Sequence, residues 1–288
     1  MSAREEALGG EGPSQRPPSR GAAGLRWFDP SSLGVASLAA LLVALLVLPV
    51  GALVLRGGVE GLRQLAVDDE LQRALALTAL AATSATLVAV LLGTPLAYLL
   101  ARGRLPAGAL VGALIELPLL IPHPVAGIAL LLAFGRASPA GGALARIGLG
   151  IVGSPLGIGL AMLFVAAPLY VSAAREAIAR VDQRYEDVAR TLGDSRWRAV
   201  QRVTLPLAGR GLLTAAVVMW ARAVSEFGAI VILTYNPKVA SVLSYDRFTA
   251  YGLDAALPVA AVLVIIAMIP LLVLRSLRAV GDPLERTP

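Results

Sequence analysis

The sequence has no cysteine, one lysine (Lys238) and one histidine (His123). Without cysteine there is no disulfide framework, no thiol nucleophile and no thiolate metal site, and the redox compartment is left open. A lone histidine without clustered carboxylates does not make a metal centre. The pattern G-x-x-x-x-G-K-[ST] is absent, so the chain carries no phosphate-binding loop for ATP. No Ser/His/Asp or Cys/His set points to catalysis. The chain is therefore read as a non-enzyme that binds no cofactor of its own.

Charge is also scarce, at 15% of 288 residues, while 57% are apolar; a soluble protein averages about 45–50% apolar. The excess lies in runs long enough to cross a bilayer, which takes about 20 residues each. This marks an all-α integral membrane protein in contact with membrane lipids. The basic charge comes almost wholly from arginine, and the sequence pI is near 10.3. No aromatic-plus-basic sheet or recognition-helix pattern accompanies it, so nucleic acid is excluded as a partner.

Residues 1–30, rich in Gly, Pro, Ser and Arg, cannot bury enough apolar surface to fold and are expected to form a disordered tail. The run Leu33–Leu55 is too long for a signal-peptide core and reads as a first span. Further spans are expected at about Ala74–Ala101, Ala107–Phe134, Ser154–Ala174, Gly211–Leu233 and Ala255–Leu274, within one membrane domain of residues 31–276. Residues 277–288 form a short charged tail. Six spans place both termini on one side. Counting Lys and Arg, that side receives 17 and the other 7, with Arg222 inside a span. The positive-inside rule then puts both termini and the longest loop in the cytoplasm.

That loop, residues 175–210, holds eight arginines. Tyr185, Val188, Ala189 and Leu192 recur at i, i+3, i+4, i+7, one face of a helix. Gly193 supplies a helix-ending residue that tolerates left-handed geometry. Asp194 or Ser195 can cap a second helix carrying Trp197, Val200 and Val203, which Pro206 is expected to stop. The loop reads as two short amphipathic helices joined at a glycine.

With Asp187-Val188-Ala189, Gly193, Val203 and Leu205-Pro206 at these distances, the loop resembles the "EAA" loop of ATP-binding-cassette importer permeases. Asp stands for Glu and Val for the first Ala, and Glu186 is adjacent to the acidic position. Glu116–Gly135 (ELPLLIPHPVAGIALLLAFG) and Ala221–Leu253, with its SEFGA segment, are similar to molybdate/tungstate permeases; sulfate permeases share part of the second pattern. The resemblance covers roughly residues 71–274. It implies a type I ABC importer permease (MetI-like) fold with six transmembrane helices, and a homodimer formed with a second permease copy. It further implies two cytoplasmic ABC ATPase subunits that hold ATP-Mg, and an extracytoplasmic oxyanion-binding protein. The docking residues it implies are Tyr185, Glu186, Asp187, Val188, Ala189, Leu192, Gly193, Trp197, Leu205 and Pro206.

Ionisable groups inside spans are costly and usually face a partner or a pathway. Arg222 and Glu226 stand four apart, the spacing of a pair on one helix face. They read either as a gate for an anion or as an internal pair that offsets its own burial. Like Pro118 before them, Pro122 and Pro124 remove backbone donors and are expected to kink or break the third span. His123 between them faces a cavity or is a neutral hydrogen-bonded histidine at the break. Ser225, Gly228 and Ala229 suit close helix packing or a substrate-facing role. Tyr245, Phe248 and Tyr251 suit an interfacial belt or contact with the binding protein. The competing readings are the same machinery carrying sulfate or another oxyanion, and a membrane-embedded enzyme or sensor whose arginine-rich loop binds lipid.

Overall fold

The structure, a computed structural model, describes residues 30–280, with side chains described for residues 33–274. The tail expected at the N-terminus and the last residues of the C-terminal tail lie outside the described residues. Apart from turns and short breaks, the described residues are helical, with no strand among them.

The first helix, α1 (Pro30–Val67), runs well past the expected end at Leu55. Its residues 33–50 leave their side chains exposed. The helix stops where Asp68, in extended geometry, accepts a hydrogen bond from the Leu71 N–H and caps α2 (Asp69–Ala101). Residues 56–73, which lie between the first two expected spans, are thus almost wholly helical.

α1 meets the last helix, α12 (Leu253–Val280), through Gly57 and Gly61. A Cβ at Gly61 would stand 2.5 Å from the Pro258 carbonyl oxygen, and one at Gly57 would stand 2.5 Å from the Leu257 oxygen. Small residues let two helix backbones approach this closely. At Gly58 a Cβ would meet only Val54 and Ile265 side chains, at 3.7 and 3.8 Å. Gly61→Ala is therefore expected to cost about 1–3 kcal/mol through overpacking. Gly58→Ala should be neutral, and the thermal midpoints of the two purified variants in detergent check the contrast.

The core is built by α2 and α6 (Pro155–Ala179), joined by α9 (Leu205–Val224). The buried stripe of α2 runs Ala74, Thr78, Ala82, Ala85, Ala89, Gly93 and Ala97, small residues at helical spacing. Gly93 lets α2 close onto Tyr170 and Val171 of α6, where a Cβ would approach to 3.0 and 3.1 Å. Ser154 caps α6 by accepting from the Gly157 N–H.

The third span is not one straight helix. α3 (Gly108–Leu120) and α4 (His123–Phe134) are bent by 115° about Ile121-Pro122. A short helix, α5 (Pro139–Arg146), follows between the third and fourth expected spans. Among the described residues five helical runs are long and apolar enough to cross a membrane, or six if the bent pair is one span.

The fifth span also departs from expectation. α9 ends at Val224, and after a break at Ser225–Phe227 comes α10 (Gly228–Leu233). α11 (Ala240–Tyr251) then packs on α12. The break follows from local chemistry. The Glu226 side chain accepts from the Ala229 N–H at 2.9 Å and so satisfies a free backbone donor in the first turn of α10.

Candidate functional site

The polar loop after α6 folds as α7 (Arg184–Thr191) and α8 (Arg196–Ala199). Glu186 and Asp187 lie in the first turn of α7, where the helix dipole favours negative charge, and Arg190 lies in the last. Gly193 has φ +101°, a conformation that side-chain-bearing residues rarely adopt, and it turns the chain between the two helices. Ser195 caps α8 by accepting from the Arg198 N–H.

Four large apolar side chains of this loop are turned to the outside: Tyr185 at 58% exposure, Val188 at 57%, Leu192 at 83% and Trp197 at 52%. Asp187 is exposed and paired with Arg190 at 3.4 Å. Asp194 pairs with Arg202 at 3.1 Å. The result is an apolar knob with a charged rim. Ala189 is half-buried behind it.

Pro206 does not stop the second helix. α8 continues through a π turn (Val200–Thr204) directly into α9, with the Leu205 N–H bonding to the Val200 oxygen. A proline inside an α-helix collides with the carbonyl four residues before it; the wider turn accommodates Pro206 in the first turn of α9. Leu205 is half-buried and Pro206 exposed.

Glu186 faces the opposite way from Asp187. Its side chain is 4% exposed, and it accepts from Tyr98 Oη at 2.9 Å, from Arg102 Nε and Nη2 at 2.9 and 2.7 Å, and from Thr204 Oγ1 at 2.7 Å. Burial by itself pushes this carboxyl up. The bonds from Thr204, Arg102 and Tyr98, with the Arg102 charge, outweigh that and hold it below the ordinary carboxylate range. Glu186 is thus an internal ion-pair hub and no part of the outward face on which it was expected.

A second constellation forms where the broken spans meet. Arg222, in the last turn of α9, places Nη2 3.0 Å from Glu226 Oε2. The same nitrogen is in contact with His123 Nε2. His123 Nε2 is 3.6 Å from Glu226 Oε2. Arg222 Nη1 also reaches Ser225 Oγ at 3.5 Å, and Ser225 Oγ donates to the Arg222 carbonyl at 2.9 Å. The pair expected on one continuous helix face thus forms across a helix end. Exposure is unequal: the Glu226 side chain is 1% exposed, Arg222 26% and His123 42%. Pro122 caps α4 and Pro124 lies in its first turn. Gly228 lets α10 approach α4, since a Cβ there would lie 2.7 Å from that of His123.

Residues 89–285 match the model of a family described as "Binding-protein-dependent transport system inner membrane component". The chain belongs to this family. Among its relatives is a molybdate/tungstate transport system permease protein, WtpB, of Thermococcus kodakarensis. The two are 40% identical over 244 residues, covering 84% of this chain and 94% of the relative. A probable molybdenum ABC transporter permease protein of Haloferax volcanii is 40% identical over 83% of this chain and 88% of its own length. A sulfate transport system permease protein of Synechocystis is 30% identical, over 83% and 86%. The fold is shared with the inward-facing MetNI methionine ABC transporter (TM-score 0.59, 19% identity, 73% of this chain and 96% of that one). It is shared too with a bacterial ABC transporter that imports alginate (TM-score 0.60, 18% identity, 88% and 95%).

In this transport-system inner membrane component, the family match takes in both constellations and leaves α1 outside. The sequence missed Tyr98, Arg102, Arg104 and Thr204 as partners of Glu186. The basic turn Arg102-Gly103-Arg104 was visible, but nothing tied it to a carboxylate 84 residues later. Also missed was a network at the opposite end of the helices. Arg247 on α11 reaches Asp68 at 2.6 Å and Glu70 at 3.4 Å. Lys238 pairs with Asp246 and lies 3.6 Å from Glu70. Hydrogen bonds from Lys238 and Tyr235 hold the Asp246 carboxyl low, and the bond to Asp246 raises Lys238. Tyr245, Phe248 and Tyr251 on α11 are exposed.

Proposed function

We propose that this chain is the membrane-spanning permease subunit of an ATP-driven importer of molybdate or tungstate. In this reading two copies form the path, and two ABC ATPases holding ATP-Mg dock on the cytoplasmic α7–α8 loops. An extracytoplasmic binding protein delivers the oxyanion. Both termini lie in the cytoplasm.

The observation that carries the reading is the outward apolar knob of Tyr185, Val188, Leu192 and Trp197 at a left-handed glycine. Such side chains are wasted facing water and fit a groove on a partner. The charged rim steers the approach without adding much affinity. Relatives 40% identical across most of the chain support the choice of oxyanion.

Closure of the ATPases would press on α7 and rock the spans between two facings. The Arg222–Glu226–His123 cluster serves as the pathway element. Its buried carboxylate tempers a cation whose outer face is reachable, giving an oxyanion a weak, releasable attraction. Sulfate is the second reading, favoured by the Synechocystis relative.

The chain would be reconstituted in proteoliposomes with its ATPase and binding protein. Uptake of labelled molybdate should require ATP and survive excess sulfate. Uptake abolished by sulfate would assign the machine to sulfate. No ATP-dependent uptake of any oxyanion would overturn the proposal.

A further inference from the structure

Two neighbouring carboxylates on α7 face opposite ways. Asp187 is exposed beside Arg190, and Glu186 is buried among donors from other segments. We infer that Glu186 is the positioning residue that carries displacement of α7 to the start of α3, and through α3 to His123. This rests on the proposed docking of an ATPase on α7.

Chain connectivity poses the problem. α7 is joined covalently to α6 and, through α8 and the π turn, to α9. Neither α2 nor α3 has such a link. The Glu186 carboxylate supplies one, to Tyr98 at the end of α2 and to Arg102 in the turn that opens into α3. Arg102 is fixed a second time by donating to the Val181 oxygen at 3.0 Å. Arg104 lies 3.9 Å from Glu186 Oε2, donates to Tyr98 Oη and sets its guanidinium 5.3 Å from the Tyr98 ring centroid. Charge-assisted bonds to a buried carboxylate are short, directional and about twice as strong as neutral ones, so the joint is stiff.

α3 is suited to transmit what the joint delivers. None of its residues is buried. It borders an apolar cavity of about 660 Å³ shared with α2, α4 and α6. Along its length it has a side-chain tie from Glu116 to Ser172 at 3.1 Å. Its far end, roughly 20 Å away by helical rise, leads through Ile121-Pro122 to His123 and the Arg222–Glu226 pair. α3 thus stands as a strut whose flanking segments are held by polar side-chain contacts, loosely packed between them.

The test uses the complex of this chain with ATPase and binding protein in proteoliposomes, with ATP hydrolysis and labelled molybdate uptake read in the same sample. Glu186→Gln keeps the shape and loses the charge. It should retain ATPase co-purification and hydrolysis while uptake per ATP falls about tenfold, the scale of one charge-assisted bond. Arg102→Gln should do the same, and the double variant should be no worse than either single one. Thr204→Val and Tyr98→Phe each remove one donor and leave the ion pair, so smaller falls in the same ratio are expected even where Glu186→Gln does not fold. An unchanged ratio in Thr204→Val and Tyr98→Phe overturns the inference. So do additive losses in the double variant, or hydrolysis and uptake falling together with the thermal midpoint, the signature of a merely structural bond. If the unmodified chain retains no ATPase, the docking proposal fails and takes this inference with it. If it does retain the ATPase and every variant couples normally, only the inference fails.

Discussion

Replacing Glu226 with glutamine is expected to destabilise the protein by about 1–3 kcal/mol, because it leaves the partly buried Arg222 guanidinium without its counter-charge. The carboxylate is 1% exposed and does two jobs, pairing with Arg222 at 3.0 Å and accepting from the Ala229 N–H in the first turn of α10. The amide can keep only one of them. Arg222→Gln should be nearly as costly, since it strands the carboxylate instead. The double variant Arg222→Gln/Glu226→Gln removes both charges and should recover most of the lost stability, because the cost belongs to the unpaired partner and not to the pair. Thermal midpoints of the purified variants measure this cycle. Uptake separates the two roles of the pair. A pathway element predicts that the refolded double variant stays inactive, whereas recovery of uptake along with stability would reduce the pair to an internal neutralisation.

What the sequence discloses here depends on how far apart the interacting groups lie. The loop was legible because its signals are local: Tyr185, Val188 and Leu192 repeat at helical spacing, and Gly193 takes the left-handed conformation its place demands. The break before His123 was equally local, since Pro122 and Pro124 remove donors from the helix themselves. The orientation of Glu186 was not legible. Its neighbours in sequence suggest a charged, exposed first turn, and only the return of Tyr98, Arg102 and Thr204 through the fold makes its side of the helix the inner one. Pro206 misled for the opposite reason. As a local signal it reads as a stop, and a π turn, which has no composition of its own, absorbs it. The same holds for the end of α9, where the Glu226 side chain accepts from the Ala229 N–H in the first turn of a new helix inside an apolar run. Span lengths followed from apolar runs alone, while the 115° size of the bend between α3 and α4, and the close approach of α10 to the glycine at 127 and the histidine at 123, were not legible.

Leu192→Asp is expected to abolish co-purification of the ATPase while leaving the permease folded. Leu192 is 83% exposed at the end of α7, so its removal empties no cavity and should stay within about 0.5 kcal/mol in stability. At a docking interface the same change buries a carboxylate in an apolar groove, and loss of a central anchor there costs about 2 kcal/mol or more, at least a thirtyfold weaker complex. Trp197→Ala, on the other side of the glycine, should weaken the complex by a comparable factor if α7 and α8 engage one groove together. Gly193→Val separates geometry from contact. A Cβ there meets nothing within 4 Å, so its cost is wholly that of holding a β-branched residue at φ +101°, about 1–2 kcal/mol. That strain is relieved if the turn opens and swings α7 away from α8, so the variant should lose the ATPase with every apolar anchor still in place. Affinity of each detergent-purified variant for the ATPase, measured beside its thermal midpoint, decides the matter. Full affinity in Leu192→Asp and Gly193→Val would mean that the exposed knob is not what the ATPase grips.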